Sequence, residues 1–302
     1  MEKNILGIDI GGTSIKVGVV NNDNVLVSTS IRNLFKGNPE TLIEGLKPII
    51  DPYINHYNIK DIGVGCPGDI SKGVVVFASN LGWKNFDLLG AFLKEYPTFN
   101  VVVDNDGNAA CQAEINGGNL KNVDDGLFVT IGKGIGGAII FDNRIISGTH
   151  NKGGRFGHTV IHTNGRKCNC GRRGCFERYA SVTGLIQTVK EYNMKWKVEE
   201  EKIDVEKLSG YQIVKYSKET NNNMVKEALN KWHNDIAEGL LDLCHVIDPE
   251  VIVIAGGITE SGLLNIDYIQ DFLANHNYSD CKVKLAKHKG KTGLIGAANL
   301  IK

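Results

Sequence analysis

The sequence predicts an α/β protein built as two related domains. Three observations carry that expectation. Strand-like apolar runs alternate with helical patterns along the chain. A strand, a glycine-rich turn and a second strand occur at the start and again near the middle, which marks an internal duplication. The length, 302 residues, suits about two ordinary domains.

Residues 5–20 read as strand, turn at Gly11-Gly12, and strand. Asn21-Asn22-Asp23-Asn24 is a second turn, and a third strand begins at 25–27. A helix is expected over 39–57 and a short strand over 61–66, closed by Pro67-Gly68. Another strand at 101–103 stops at Asp104-Asn105-Asp106. The opening pattern then recurs. A strand at 127–131 runs into Gly132-Lys133-Gly134-Ile135-Gly136-Gly137, then a strand at 138–141, a turn at Asp142-Asn143, and Ile145-Ile146. A long helix over 225–247 has apolar residues at 225, 229, 232, 236, 240, 243 and 247. Asp248-Pro249 ends it. A buried strand at 251–254, a turn at Ala255-Gly256-Gly257 and a closing helix near 293–300 complete the chain. The expected domains are 1–117, joined by a C-terminal helix at 292–302, and 118–291.

The charge balance is 34 Lys+Arg against 34 Asp+Glu. That excludes the basic field of a dedicated nucleic-acid or anionic-membrane binder. Apolar runs such as 251–255 fall far short of the ~20 residues needed to span a bilayer. With no secretory signal pattern at the start, a cytoplasmic protein is expected. Gly is the outlier, 36 against 6 Pro, and it is clustered.

Glycine lets backbone N–H groups approach a phosphate closely. The segment 132–137 formally fits GxGxxG, but a strand rather than a helix follows, which excludes a Rossmann site. Taken singly, each glycine turn is equally an ordinary hairpin. Gly11-Gly12, Gly132–Gly137 and Gly256-Gly257 taken together suggest a grip on one nucleotide. Asp9 precedes the first turn and is a candidate Mg²⁺ ligand. No Walker lysine motif is present.

Asp104-Asn105-Asp106-Gly107-Asn108 joins a strand to a helix. Asn or Asp here can simply be an N-cap. A carboxylate at a strand's carboxyl end is also where an α/β protein places a general base. Both readings fit neighbouring residues, with Asn105 positioning and Asp106 catalysing.

His158, Cys168, Cys170 and Cys175 offer one imidazole and three thiolates. That set fits a closed, structural Cys₃His zinc site. A Cys168–Cys170 disulfide would be strained and would leave a thiol over. Cys66, Cys111, Cys244 and Cys281 read as small core residues.

These pieces, in this order, resemble the ROK family of sugar kinases. The matching segments are 8–13, 105–110, 132–137, Gly157-His158 with 168–177, and 294–298. The resemblance implies an actin-like ATPase (ribonuclease H-like) fold of two duplicated domains with a sugar in the cleft between them. It implies Asp106 as the base, with Asn80, Asn105, Arg155, His158 and Glu177 at the sugar positions. ATP would meet Asp9, Gly11, Gly12, Thr13 and Lys16, then Gly132, Lys133 and Gly134, then Gly256 and Gly257. The implied cofactors are ATP, Mg²⁺ and structural Zn²⁺, and the implied assembly is a homodimer or homotetramer.

Two departures matter. Arg155 stands where the family usually has Glu; it cannot accept hydrogen bonds and it reverses the local charge. Lys133 replaces a usual Thr or Ser. The expected activity is phosphorylation of a hexose by ATP, glucose first. Alternatives are an N-acetylmannosamine, N-acetylglucosamine or other sugar kinase, or a weakly active or non-catalytic sugar binder. A repressor is disfavoured because Asp9 lies almost at the start, with no room for a DNA-binding domain.

Overall fold

The computed structural model describes residues 3–206, 208–288 and 290–301. Met1, Glu2, Lys207, Lys289 and Lys302 lie outside the described residues, including the outer ends of the expected domain ranges. In chain order come β1 (Ile5–Ile10), β2 (Ser14–Asn21), β3 (Asn24–Arg32), α1 (Leu42–Tyr57) and β4 (Asp61–Cys66). Next are β5 (Asp69–Ser71), β6 (Val74–Ala78), β7 (Trp83–Asp87), α2 (Leu88–Glu95), β8 (Asn100–Asn105) and α3 (Asp106–Gly117). Then follow β9 (Gly126–Ile131), β10 (Ile135–Phe141), β11 (Arg144–Ile146), α4 (Glu177–Ala180), α5 (Val182–Lys195) and α6 (Gly210–Glu219). The last are α7 (Asn223–Ile247), β12 (Val251–Ala255), α8 (Ile266–Asn275), β13 (Lys282–Leu285) and α9 (Thr292–Asn299).

The chain divides into two compact units. Unit 1 runs from the start to Asn122, takes in Ile145–Gly153, and resumes at Ala286. Unit 2 is Val123–Arg144 with Gly154–Leu285.

In unit 1 the sheet order is β3-β2-β1-β4-β8. The short turns after β1 and β2 make β1, β2 and β3 antiparallel. The crossovers after β3 and β4 make β4 and β8 parallel to β1. β4 is buried along its whole length, as expected of a parallel strand covered on both faces. Leu6, Ile8 and Ile10 of β1 join Leu42, Leu46 and Ile50 of α1 in one core. Enclosing each such side chain contributes ~1.5–3 kcal/mol. Ile5 points the other way and packs with Leu294, Ile295 and Ala298 of α9, following the period of two along a strand. α9 comes so close that a Cβ on Gly63 of β4 would lie 1.8 Å from the Ala297 carbonyl oxygen. Only glycine fits there. A separate sheet of order β5-β6-β7 completes the unit.

Unit 2 repeats the plan with the order β11-β10-β9-β12-β13. β10 is antiparallel to β9, and β12 runs parallel to β9 and β13. The duplication expected from the sequence is therefore present in both sheets. Leu127, Val129, Ile252 and Ile254 pack against Val225, Leu229, Trp232 and Ile236 of α7. Asn222 caps α7 by accepting the Val225 N–H, and Asp248, at φ 53°, ends it.

Two boundaries differ from the sequence pattern. β8 continues through Asn105, because β4 keeps pairing with it as far as Cys66↔Asn105. Gly136 and Gly137 belong to β10, paired with Thr130 and Val129, so the second glycine turn is only Gly132–Gly134. Among the described residues no helix is long and apolar enough to cross a membrane.

Candidate active site

In unit 1 the sheet register gathers the acidic groups. Asp9 pairs with Gly65, and Gly65 with Asp104, which sets the two carboxylates in one row across three strands. α3 starts just beyond that row. Asn105 is its N-cap: Oδ1 accepts the Gly107 N–H at 2.8 Å, and Nδ2 donates to the Gly68 carbonyl at 2.8 Å. Asp106 is the first helical residue, and its Oδ1 also accepts from the Gly107 N–H, at 2.9 Å. The capping and catalytic readings thus fall on adjacent residues, with Asn105 as the cap.

Burial, then the nearby Asp9 carboxylate, pushes the Asp106 pKa up to about 6. Burial also raises Asp9, and Lys16 opposes that shift. Two neighbouring carboxylates, both held at raised proton affinity by burial, form a donor set that a divalent cation would relieve, so these residues fit Mg²⁺. Lys16 Nζ donates to the Gly290 carbonyl at 3.2 Å.

The first glycine turn is held from outside the motif. Asn33 is buried. Its Nδ2 donates to the Gly11 carbonyl at 2.7 Å, and its backbone N–H donates to the Thr13 carbonyl at 2.9 Å. Asn80 lies alongside, its Cβ 3.6 Å from where a Cβ on Gly12 would be.

In unit 2 the turn Gly132–Gly134 is anchored by the start of α5. The Val182 N–H donates to the Gly132 carbonyl at 2.9 Å, and Thr183 Oγ1 donates to the Lys133 carbonyl at 2.7 Å. Lys133 itself is exposed. Gly256, at φ 110°, sits against the end of β9; a Cβ there would meet the Ile131 carbonyl oxygen at 2.2 Å. The second and third glycine turns are therefore neighbours. Gly134 also abuts Glu177, whose Oε2 would be 2.8 Å from a Cβ on Gly134.

Residues 147–176 leave the sheet, with a single 3₁₀ turn at Phe156–His158. Arg155 is exposed and stands at that turn's N-cap. Beyond it, His158, Cys168, Cys170 and Cys175 bring their ligand atoms within 4.8 Å of one another. Cys170 and Cys175 sulfurs are 3.5 Å apart, and Cys168 Sγ is 3.8 Å from His158 Nδ1. Three thiols and an imidazole at these separations fit tetrahedral zinc, with metal–sulfur bonds of ~2.3 Å. Because Nδ1 faces the sulfurs, Nε2 is the ring nitrogen left for a second partner. Burial pushes the Cys168 thiol up to about 12 and also raises Cys175. The Arg172 backbone N–H lowers Cys170. Zinc binding must displace the thiol protons that remain. Glu177 Oε1 lies 3.2 Å from Cys168 Sγ and 3.7 Å from His158 Nδ1. The other four cysteines are buried and free.

Each unit thus collects its own set. Asp9, Gly11, Gly12, Thr13, Lys16, Asn80, Asn105 and Asp106 lie in unit 1, and the remaining expected site residues lie in unit 2. Asn33 and Asp104 shape the site without belonging to a motif. Asp104 accepts the Asn105 N–H at 2.6 Å and bonds Asn108 Nδ2 at 3.2 Å. Its place two residues before Asp106, at a strand end, was the available signal. Asn33 carried none.

A family model described as "ROK family" matches residues 5–302. The chain is 28% identical to a glucokinase of Streptomyces coelicolor, over 98% of this chain and 96% of that protein. It is also 28% identical to the xylose repressor of Bacillus subtilis, over 91% of this chain and 69% of that one. Among solved structures, a ROK family glucokinase from Streptomyces griseus in complex with glucose and AMPPNP superposes with a TM-score of 0.81 at 26% identity, covering 98% of each chain.

Proposed function

Because the chain belongs to the ROK family and is an ATP-dependent sugar kinase, we propose that it phosphorylates a hexose, glucose first. The observation that carries this reading is the Asp106 carboxyl group at the end of β8. Its pKa of about 6 leaves it ionised near neutrality, yet basic enough to accept a hydroxyl proton. In the proposed reaction Asp106 takes the proton of the sugar 6-hydroxyl. The oxygen bonds the γ-phosphorus of ATP, the bond to the β-phosphate bridging oxygen breaks, and ADP leaves.

Sugar hydroxyls are assigned to Asn80, Asn105, His158 and Glu177. Asn105 retains a second Nδ2 hydrogen and a second Oδ1 lone pair for this purpose. The glycine turns and Lys16 are assigned to the phosphates, and Asp9 to Mg²⁺, which when bound neutralises developing phosphate charge. His158 and the three cysteines would hold zinc, which when bound would fix the imidazole ring with Nε2 left for the sugar. We assign Arg155 to the sugar side, where it replaces an acceptor with a cation. The assembly is taken as a homodimer or homotetramer, to be read by light scattering.

The test is ADP release measured over hexoses, N-acetylhexosamines and sugar acids, with Arg155→Glu beside wild type. Turnover of glucose by wild type is the expected result. ADP release with none of these sugars overturns the proposal. Neutral hexoses used only by the Arg155→Glu variant would instead assign Arg155 to substrate choice.

A further inference from the structure

The Cys₃His loop has an anchor that the metal does not supply. Arg166 lies two residues before Cys168, and its side chain is only 14% exposed. All five of its N–H groups are used. Nε and Nη2 hold the two carboxylate oxygens of Glu191 at 3.0 and 2.7 Å. Nη1 donates to the carbonyls of Arg178 and Gly184 at 2.8 and 3.2 Å. Nη2 also donates to Thr188 Oγ1 at 2.9 Å. The guanidinium sits over the Tyr179 ring, 4.5 Å from its centre, and the Tyr179 hydroxyl accepts the Arg166 backbone N–H at 2.6 Å.

The grip falls on one place in the fold. Arg178 and Tyr179 belong to α4, whose first residue is Glu177. Gly184, Thr188 and Glu191 belong to α5. Cys168 Sγ and His158 Nδ1 reach the Glu177 carboxylate, but the metal ligands end at Cys175, before α4, and the fork that ties α4 to α5 is that of Arg166. We propose that Arg166 is a positioning residue: it locks α4 to α5 and thereby sets the Glu177 carboxylate beside His158, with or without zinc. The inference rests on the reading that Glu177 holds the sugar. Lysine cannot replace this fork, since an ammonium has three donors and no plane to stack.

The experiment compares holo-protein with Arg166→Lys and Arg166→Ala, and adds Thr188→Val in case the alanine variant does not fold; that change removes one of the five Arg166 bonds together with the Thr188 hydroxyl's bond to the Gly184 carbonyl. Sugar and ATP kinetics, zinc content and hydrogen exchange over residues 158–195 are measured. For Arg166→Lys the sugar KM should rise about tenfold and the ATP KM should stay within about twofold, since a misplaced contact touches only its own substrate. Zinc should stay at wild-type stoichiometry, and exchange should quicken at 177–181 but not at 168–175. Thr188→Val should move the same readouts in the same direction, by less. Wild-type exchange at 177–181 in Arg166→Lys overturns the inference. So does a uniform quickening across unit 2 with an unchanged sugar KM, which would make Arg166 only a strut. If wild type phosphorylates no sugar, the kinase reading fails, while the exchange pattern still decides the role of Arg166.

Discussion

The two units share a sheet order but hold their chemical groups by different means. In unit 1, Asp9, Asp104 and Asp106 stand at or just past strand ends, placed by backbone register and a helix start. In unit 2, His158 and the three cysteines lie in an excursion outside the sheet and Glu177 directly follows it; side-chain bonds and a metal-ready cluster hold them. Positions set by a sheet tolerate loss of a side-chain contact, because a whole ladder of hydrogen bonds maintains them. Positions set by a loop depend on each anchor. On the proposed assignments the chemical step should therefore depend on the sheet frame of unit 1, and the sugar contacts of His158 and Glu177 on the loop anchors of unit 2.

The sharpest way to break that division is Asp106→Asn. Loss of the base should lower kcat by about 10²–10⁴-fold, with sugar binding preserved in calorimetry. Lost binding together with lost turnover would show that Asp106 holds substrate as well. Next is Cys170→Ser, or removal of zinc by a chelator. It should raise the sugar KM by roughly 10–100-fold, the scale seen for perturbed metal shells, and leave the ATP KM alone. Unchanged kinetics in a metal-free preparation would refute the dependence of unit 2 on its loop.

A third measurement reads unit 1 through pH. The base works when ionised, and its pKa is raised to about 6. The rate kcat/KM should be flat above that pH and fall about tenfold per unit below it. A profile flat down to pH 5 would remove Asp106 from the role. The smallest effect tests the sheet frame itself. Gly63→Ala forces a methyl group against the Ala297 carbonyl of α9 and should cost about 1–3 kcal/mol in chemical denaturation.

The same contrast explains what the sequence disclosed. The metal set was legible because the ligands lie within eighteen residues of one another, 158–175, and three thiols with an imidazole have few other uses. The strand-to-helix junction at Asp106 was legible because an apolar strand leads into it. Both β8 and β10 run longer than local preference predicts: Asp, Asn and Gly have poor strand preference, and pairing with β4 and β9 overrides it. Asn33 and Arg166 left no local mark. An isolated Asn after a strand and an Arg in a basic loop look like solvent-facing residues, and only tertiary contacts reveal their partners.

The way α9 closes unit 1 has a consequence for how the chain is made. A ribosome releases residues 1–122 first, but α9, which covers β1 and β4, emerges only after all of unit 2. The earliest sheet must therefore wait, with the α9-facing sides of Ile5 and Val20 bare, while the later unit is synthesised and can close on its own core. The half of the molecule assigned the catalytic base is thus the last to become whole. A chain cut short before Thr292 would carry Asp106 at the start of α3, beside a sheet that lacks one of its covers.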